Sequence, residues 1–180
     1  MDMSIDVQSF KTLFPAIATH CDDDGLDALL SVTTERSVSA GDVVIREYEE
    51  TGNLYFVIDG ELVSTLQEGD SEWEIGTINA GSTFCKANLL DPGPACTTVT
   101  AVSDAVLLSL SCETFRQLET EHLQMTGNIL RMLSDELVEL CRNADRMLFK
   151  RSAGIEDESQ HQKHTSLMEW ATHVYKNLHG

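Results

Sequence analysis

The apolar positions of this chain change period three times. Over residues 5–19, Ile5, Phe10, Leu13, Phe14 and Ile17 fall near helical spacing, with Pro15 as a break. Asp22, Asp23 and Asp24 then supply an N-cap and first-turn acids for a short helix through Leu30, with Leu26, Leu29 and Leu30 turned inward. From Thr33 the texture becomes β-type: Thr33–Val38, Val43–Ile45, Leu54–Ile58, Leu62–Leu66, Glu72–Ile78, Thr97–Val102 and Ala105–Leu110. Gly41, Gly52, Gly60, Gly69, Gly81 and Gly93 punctuate these runs, and Asp59-Gly60 predicts a two-residue hairpin. Short strands at this spacing predict a sandwich or jelly roll rather than βαβ units.

Near Cys112 the period turns helical again. Glu113–Leu118 predicts one short helix and Glu121–Lys150 a long one. In the long helix Thr126, Leu130, Leu133, Leu137, Leu140, Ala144 and Met147 follow alternate spacings of four and three, an a/d seam suited to a second copy of the chain. Ile129 and Met132 form a second stripe that could face the strands. The plainer alternative is one wide stripe lying on the protein's own body. After a polar stretch, Leu167, Trp170, Ala171, Val174, Tyr175 and Leu178 mark one face of a terminal helix, a candidate surface for a protein partner. The predicted fold is α+β: a β-roll or jelly roll (double-stranded β-helix) over about 33–110, with N-terminal helices and a long C-terminal dimerisation helix over about 121–150. Residues 1–150 are read as one domain and 151–180 as a tail.

Charge narrows the range of partners. The formal net charge is −18, and residues 1–150 hold 26 of the 30 acids against 9 of the 12 basic residues. An acidic surface repels phosphate backbones and anionic lipids, so neither nucleic acid nor membrane is an expected partner. No apolar run has the length of a bilayer span, and the N-terminus lacks the pattern of a signal peptide. Cys21, Cys85, Cys96, Cys112 and Cys141 are odd in number and widely spaced, which fits a reducing cytoplasm better than a disulfide framework. His161, His164, His173 and His179 lack the acid or cysteine that would complete a metal site, so no metal is expected. No histidine occurs between Thr33 and Leu110, which rules out the histidine-ligated metal site of an enzyme built on a cupin-like roll.

Two stretches carry a resemblance. AGDVVIREYEETGNLYFVIDGELVSTL supplies opening strands with an aromatic-aliphatic run before Gly60, and TFRQLETEHLQMTGNILRMLSDEL supplies a short helix followed by a long one. In this order, from about Leu26 to about Phe149, they resemble the cyclic-nucleotide-binding domain of the catabolite-activator and protein-kinase regulatory-subunit families. The resemblance implies a phosphate-binding cassette reading Phe-Gly-Glu-x-Ala-Leu, with an arginine nine residues after the glutamate in Pro-Arg-Ala-Ala-Thr-Val. This chain has Phe84-Cys85-Lys86-Ala87-Asn88-Leu89-Leu90 and then Pro94-Ala95-Cys96-Thr97-Thr98-Val99. Phe84, Leu89, Pro94, Thr98, Val99 and Ala101 match the framework and the spacing is kept. The glycine position is Cys85, the ribose-binding glutamate is Lys86 and the phosphate-binding arginine is Ala95.

By resemblance the pocket is therefore lined by Phe84, Cys85, Lys86, Ala87, Asn88, Ala95, Cys96 and Thr97. Leu140 and Cys141 of the long helix stand where a purine would sit. Losing the arginine removes two charge-assisted hydrogen bonds to phosphate, a cost of about 2–5 kcal/mol. The expected function is a non-catalytic regulatory or sensor module, homodimeric, with no cofactor and with cAMP not held in the usual way. Two alternatives remain: a cyclic nucleotide held by a non-standard pocket, or a thiol or haem redox sensor using Cys85 and Cys96. In the second, Lys86 beside Cys85 is expected to favour the thiolate. The activators also carry a helix-turn-helix domain, for which the residues after the long helix are too few.

Overall fold

The computed structural model describes residues 5–69 and 71–152. The chain begins with three short helices: α1 (Val7–Leu13), α2 (Pro15–Ala18) and α3 (Asp23–Ser31). The Asp6 side chain caps α1 by accepting from the Ser9 N–H at 2.7 Å, and Asp22 caps α3 by accepting from the Gly25 N–H at 2.9 Å. Pro15 opens α2 at a position where its missing N–H costs nothing, so the chain turns there. The strands follow: β1 (Thr34–Val38), β2 (Val43–Ile45), β3 (Glu50–Thr51), β4 (Asn53–Asp59), β5 (Glu61–Glu68), β6 (Ser71–Asn79) and β7 (Thr83–Phe84). After the one-turn helix α4 (Lys86–Leu90) come β8 (Gly93–Pro94), β9 (Thr98–Ala101) and β10 (Ala105–Ser111). Two helices follow, α5 (Cys112–Glu121) and α6 (Leu123–Ser152). Ser111 caps α5 by accepting from the Thr114 N–H at 3.0 Å.

Two antiparallel sheets make the roll, in the orders β1-β10-β4-β7 and β2-β9-β5-β6, and β3 pairs with β8 in a small ribbon. The first sheet is covered on both faces. Leu54 and Phe56 of β4, with Leu108 and Leu110 of β10, join a cluster with α1, α3, α5 and α6. Tyr55 and Val57, with Ala105 and Leu107, point the other way into a cluster between the sheets. A strand buried on both faces needs no polar alternation, which is why Leu54–Ile58 is a continuous apolar run.

The predicted strands all appear, within a residue or two at each end. The Asp59-Gly60 hairpin does not. β4 and β5 lie in different sheets, so this turn is a corner that carries the chain from one sheet to the other. Gly60 is required there for two reasons: its φ is 90°, and a Cβ would stand 2.5 Å from both the Ala105 Cβ and the Asp104 carbonyl oxygen. The hairpin that does form joins β5 to β6.

The reading of α6 also needs correction. Thr126 is fully buried and Leu133 is 1% exposed within this single chain, beside Met125 and Ile129. Leu130 and Met132 pack against the same cluster. Over its first three turns, then, the a/d positions and the second stripe form one wide apolar face on the protein's own body. The reason is geometric: over so short a span a 3.5-residue seam and a 3.6-residue stripe barely diverge. Thr126 and Leu133 are not available to a partner. Farther along, Leu137 is half-buried and Val138 exposed. The side chains of Leu140, Ala144 and Met147, and the whole of the predicted tail helix with Leu167, Trp170, Val174 and Tyr175, lie outside the described residues.

Candidate functional site

The cassette is a loop held open by its own backbone. Phe84 ends β7, pairs with Tyr55 of β4, and stacks on that ring at 4.7 Å between centroids and 9° between planes. This stack anchors the entry to α4, and α4 lies against β4. Cys85 sits between β7 and α4 with φ 58° and ψ 34°, the left-handed region. That is the conformation for which glycine is suited, and a residue with a Cβ holds it at a cost of about 1–2 kcal/mol. The resemblance placed a glycine here; the backbone has kept the glycine's shape while the side chain has changed.

Asn88 closes the loop. Its carboxamide is 8% exposed, and its Nδ2 donates to the Gly93 carbonyl at 2.9 Å and to the Thr51 carbonyl at 3.4 Å. The returning strand is tied as firmly. The Ala95 N–H donates to the Glu49 carbonyl and the Tyr48 N–H to the Ala95 carbonyl, both at 2.8 Å. The Thr98 hydroxyl accepts from the Glu47 N–H at 3.0 Å, and the Ser64 hydroxyl donates to the Thr97 hydroxyl at 2.8 Å. Phe84, Cys85, Lys86, Asn88, Ala95, Cys96 and Thr97 are thus gathered on one loop, with Ala87 on the exposed side of α4.

The chemistry of the loop is apolar. Ala95 is 3% exposed and belongs to the inter-sheet cluster with Tyr55, Phe84 and Val99, against which Cys85 also packs. Burial pushes the Cys85 thiol up to about 11, and the nearby Cys96 adds to the shift. This corrects the expectation of a thiolate favoured by Lys86. The lysine is turned elsewhere: its Nζ donates to the Glu136 carboxylate of α6 at 2.6 Å. Cys96 and Cys141 are both exposed, and all five cysteines are free thiols. Among the described residues no three His, Cys, Asp or Glu side chains are placed to hold a metal ion.

Glu136 is the residue that sequence reasoning missed. The available signal was its position one turn before Leu140, the residue placed by resemblance against the pocket, combined with an opposite charge in the cassette. Tyr55 was missed as well, because its role depends on which face of β4 it occupies.

With this geometry in place, comparison with known proteins locates the chain. Residues 35–122 match the family described as the cyclic nucleotide-binding domain. This segment belongs to that family. The match spans the roll, the cassette and α5. The chain is 30% identical over 119 residues, 66% of its length, to a cAMP-dependent protein kinase regulatory subunit of Blastocladiella emersonii, of which it spans 30%. Among solved structures, a cyclic nucleotide-binding domain from Methylobacillus flagellatus matches with a TM-score of 0.69 at 17% identity, covering 79% of this chain and 84% of that one. The catabolite activator protein of Thermus thermophilus matches at 0.65 and 23% identity, covering 75% and 64%. The architecture is the jelly-roll-like cyclic-nucleotide-binding fold with helices at both ends, as the sequence predicts. Among the described residues no helix is long and apolar enough to cross a membrane.

Proposed function

We propose that this chain is a non-catalytic regulatory module of the cyclic-nucleotide-binding domain family that does not hold cAMP in the usual way. The observation that carries this reading is the setting of Ala95. It stands where the family pattern has its phosphate-binding arginine, it is 3% exposed, and Tyr55, Phe84 and Val99 surround it with apolar surface. A phosphate placed there would lose water and gain no charged partner. Lys86, the cation within the cassette, is engaged by Glu136.

The module acts as a homodimer in this reading, through the part of α6 beyond Leu133, and passes its signal to other proteins by contact. The surface for the second copy is narrower than the full heptad seam: Leu137 with Leu140, Ala144 and Met147. Five free thiols suit a reducing cytoplasm. The absence of any histidine in the roll supports a role without catalysis.

Isothermal titration with cAMP and then cGMP tests the reading. No heat of binding is expected at millimolar nucleotide. Micromolar binding to the unaltered protein would overturn it. The double variant Lys86→Glu with Ala95→Arg should gain affinity by about thirtyfold or more, since it returns both polar contacts of the family pattern.

A further inference from the structure

The cassette and the long helix are joined by a charge pair, and its position gives it a purpose. Among the described side chains of α6, Leu133 is the last that is fully buried. Five residues earlier Asn128 ties the helix to the turn after α2 by donating to the His20 carbonyl at 2.8 Å. Just past Leu133 the helix meets Lys86, whose Nζ stands 2.6 Å from Glu136, with side chains 31% and 40% exposed. Lys86 is the one basic residue between Arg46 and Arg116, a stretch that contains most of the roll and twelve acids. The one cation of this acidic stretch is thus paired with the helix rather than with the carboxylates around it.

We propose that Lys86–Glu136 is a ligand-independent brace: it holds the distal half of α6 against the cassette, fixing the direction in which the helix leaves the body. The pair joins the cassette to the helix directly, so the two elements are coupled through protein side chains. An anion that enters the cassette has to take Lys86 from Glu136, and in doing so frees the helix. This inference rests on the reading above that no nucleotide normally bridges the two elements, and it is tested by a separate observable.

A half-exposed pair of this kind contributes modestly, so the expected effect is small and local. In hydrogen exchange of the full chain, amides 137–148 of α6 should exchange about two- to fivefold faster in Lys86→Met and in Glu136→Gln than in the unaltered protein. The reversed pair, Lys86→Glu with Glu136→Lys, should return the rates to the starting level. Unchanged rates in the single variants would overturn the brace, and so would a reversed pair as fast as the singles. Equal acceleration in β4 would also overturn it, because the pair would then stabilise the whole body rather than the helix direction. Calorimetry with cAMP decides the nucleotide question independently of these rates: a brace that fails leaves that result standing, and nucleotide binding leaves the exchange result standing.

Discussion

On one face of the β1-β10-β4-β7 sheet, Leu54, Phe56, Leu108 and Leu110 meet Phe10, Phe14 and Phe115 from the flanking helices. On the other face, Tyr55, Val57, Ala105 and Leu107 meet Val44, Val99, Ala101 and Ala95 from the second sheet and the cassette. The first side is filled with large rings in contact: Phe56 lies 5.6 Å from Phe10 and 5.5 Å from Phe14 between centroids, both edge to face. The second side is filled with aliphatic side chains, among them Ile45, Leu62 and Leu107, with small residues and one stacked pair, Tyr55 on Phe84. Large rings are therefore concentrated on the helix side, while the cassette side holds the three positions, Cys85, Lys86 and Ala95, that differ from the pattern the resemblance implies. A position that adds little bulk to the core can change its side chain at little cost in packing.

The sharpest way to break that comparison is to truncate one residue on each side. Phe56→Ala should cost about 3–5 kcal/mol in urea unfolding, because it removes a ring from the centre of the aromatic cluster. Val99→Ala, on the cassette side, should cost about 2 kcal/mol, from two methyl groups and a smaller cavity. Equal losses would mean the two sides contribute alike. Gly60→Ala comes next at about 2–3 kcal/mol, since the corner demands positive φ and leaves no room for a methyl.

The smallest effects concern Cys85. Cys85→Gly should be more stable than Cys85→Ala by about 1 kcal/mol, because only the glycine relieves the left-handed backbone. The thiol adds a pH dependence of known sign. Burial favours its neutral form, so its contribution to folding is intact below the ordinary value of 9.0 and is lost as pH rises toward about 11. At pH 8, alkylation of the native protein should reach the exposed Cys96 and Cys141 well before Cys85, as mass spectrometry of the modified peptides would report. Early modification of Cys85 would show that the cassette opens far more readily than its packing implies.

How much of this was legible before the structure differs from element to element. The strands were readable because Leu54–Ile58 and Ala105–Leu110 are too apolar and too short for surface helices. Asp59-Gly60 misled because the same left-handed glycine serves a hairpin and a corner, and only the pairing partners distinguish them. Thr126 and Leu133 misled because over the first three turns of α6 a heptad seam has the same spacing as a stripe on one's own core. Cys85, Lys86 and Ala95 could be recognised as departures from the family pattern, but their consequences depended on neighbours. The thiol's rise comes from burial, and the lysine's engagement comes from a glutamate fifty positions away. Long-range partners of single charges leave no periodic trace in a sequence.

The two hydrogen bonds made by Asn88 bear on timing. Because they pin α4 to Thr51 and Gly93 of the β3–β8 ribbon by protein atoms alone, this turn keeps its shape when a molecule arrives. No segment has to be ordered at that moment, and the usual entropy loss of about 1–2 kcal/mol for each residue fixed is absent. What arrival changes is the Lys86–Glu136 pair, so the rate of capture reports on that pair and not on ordering of the turn.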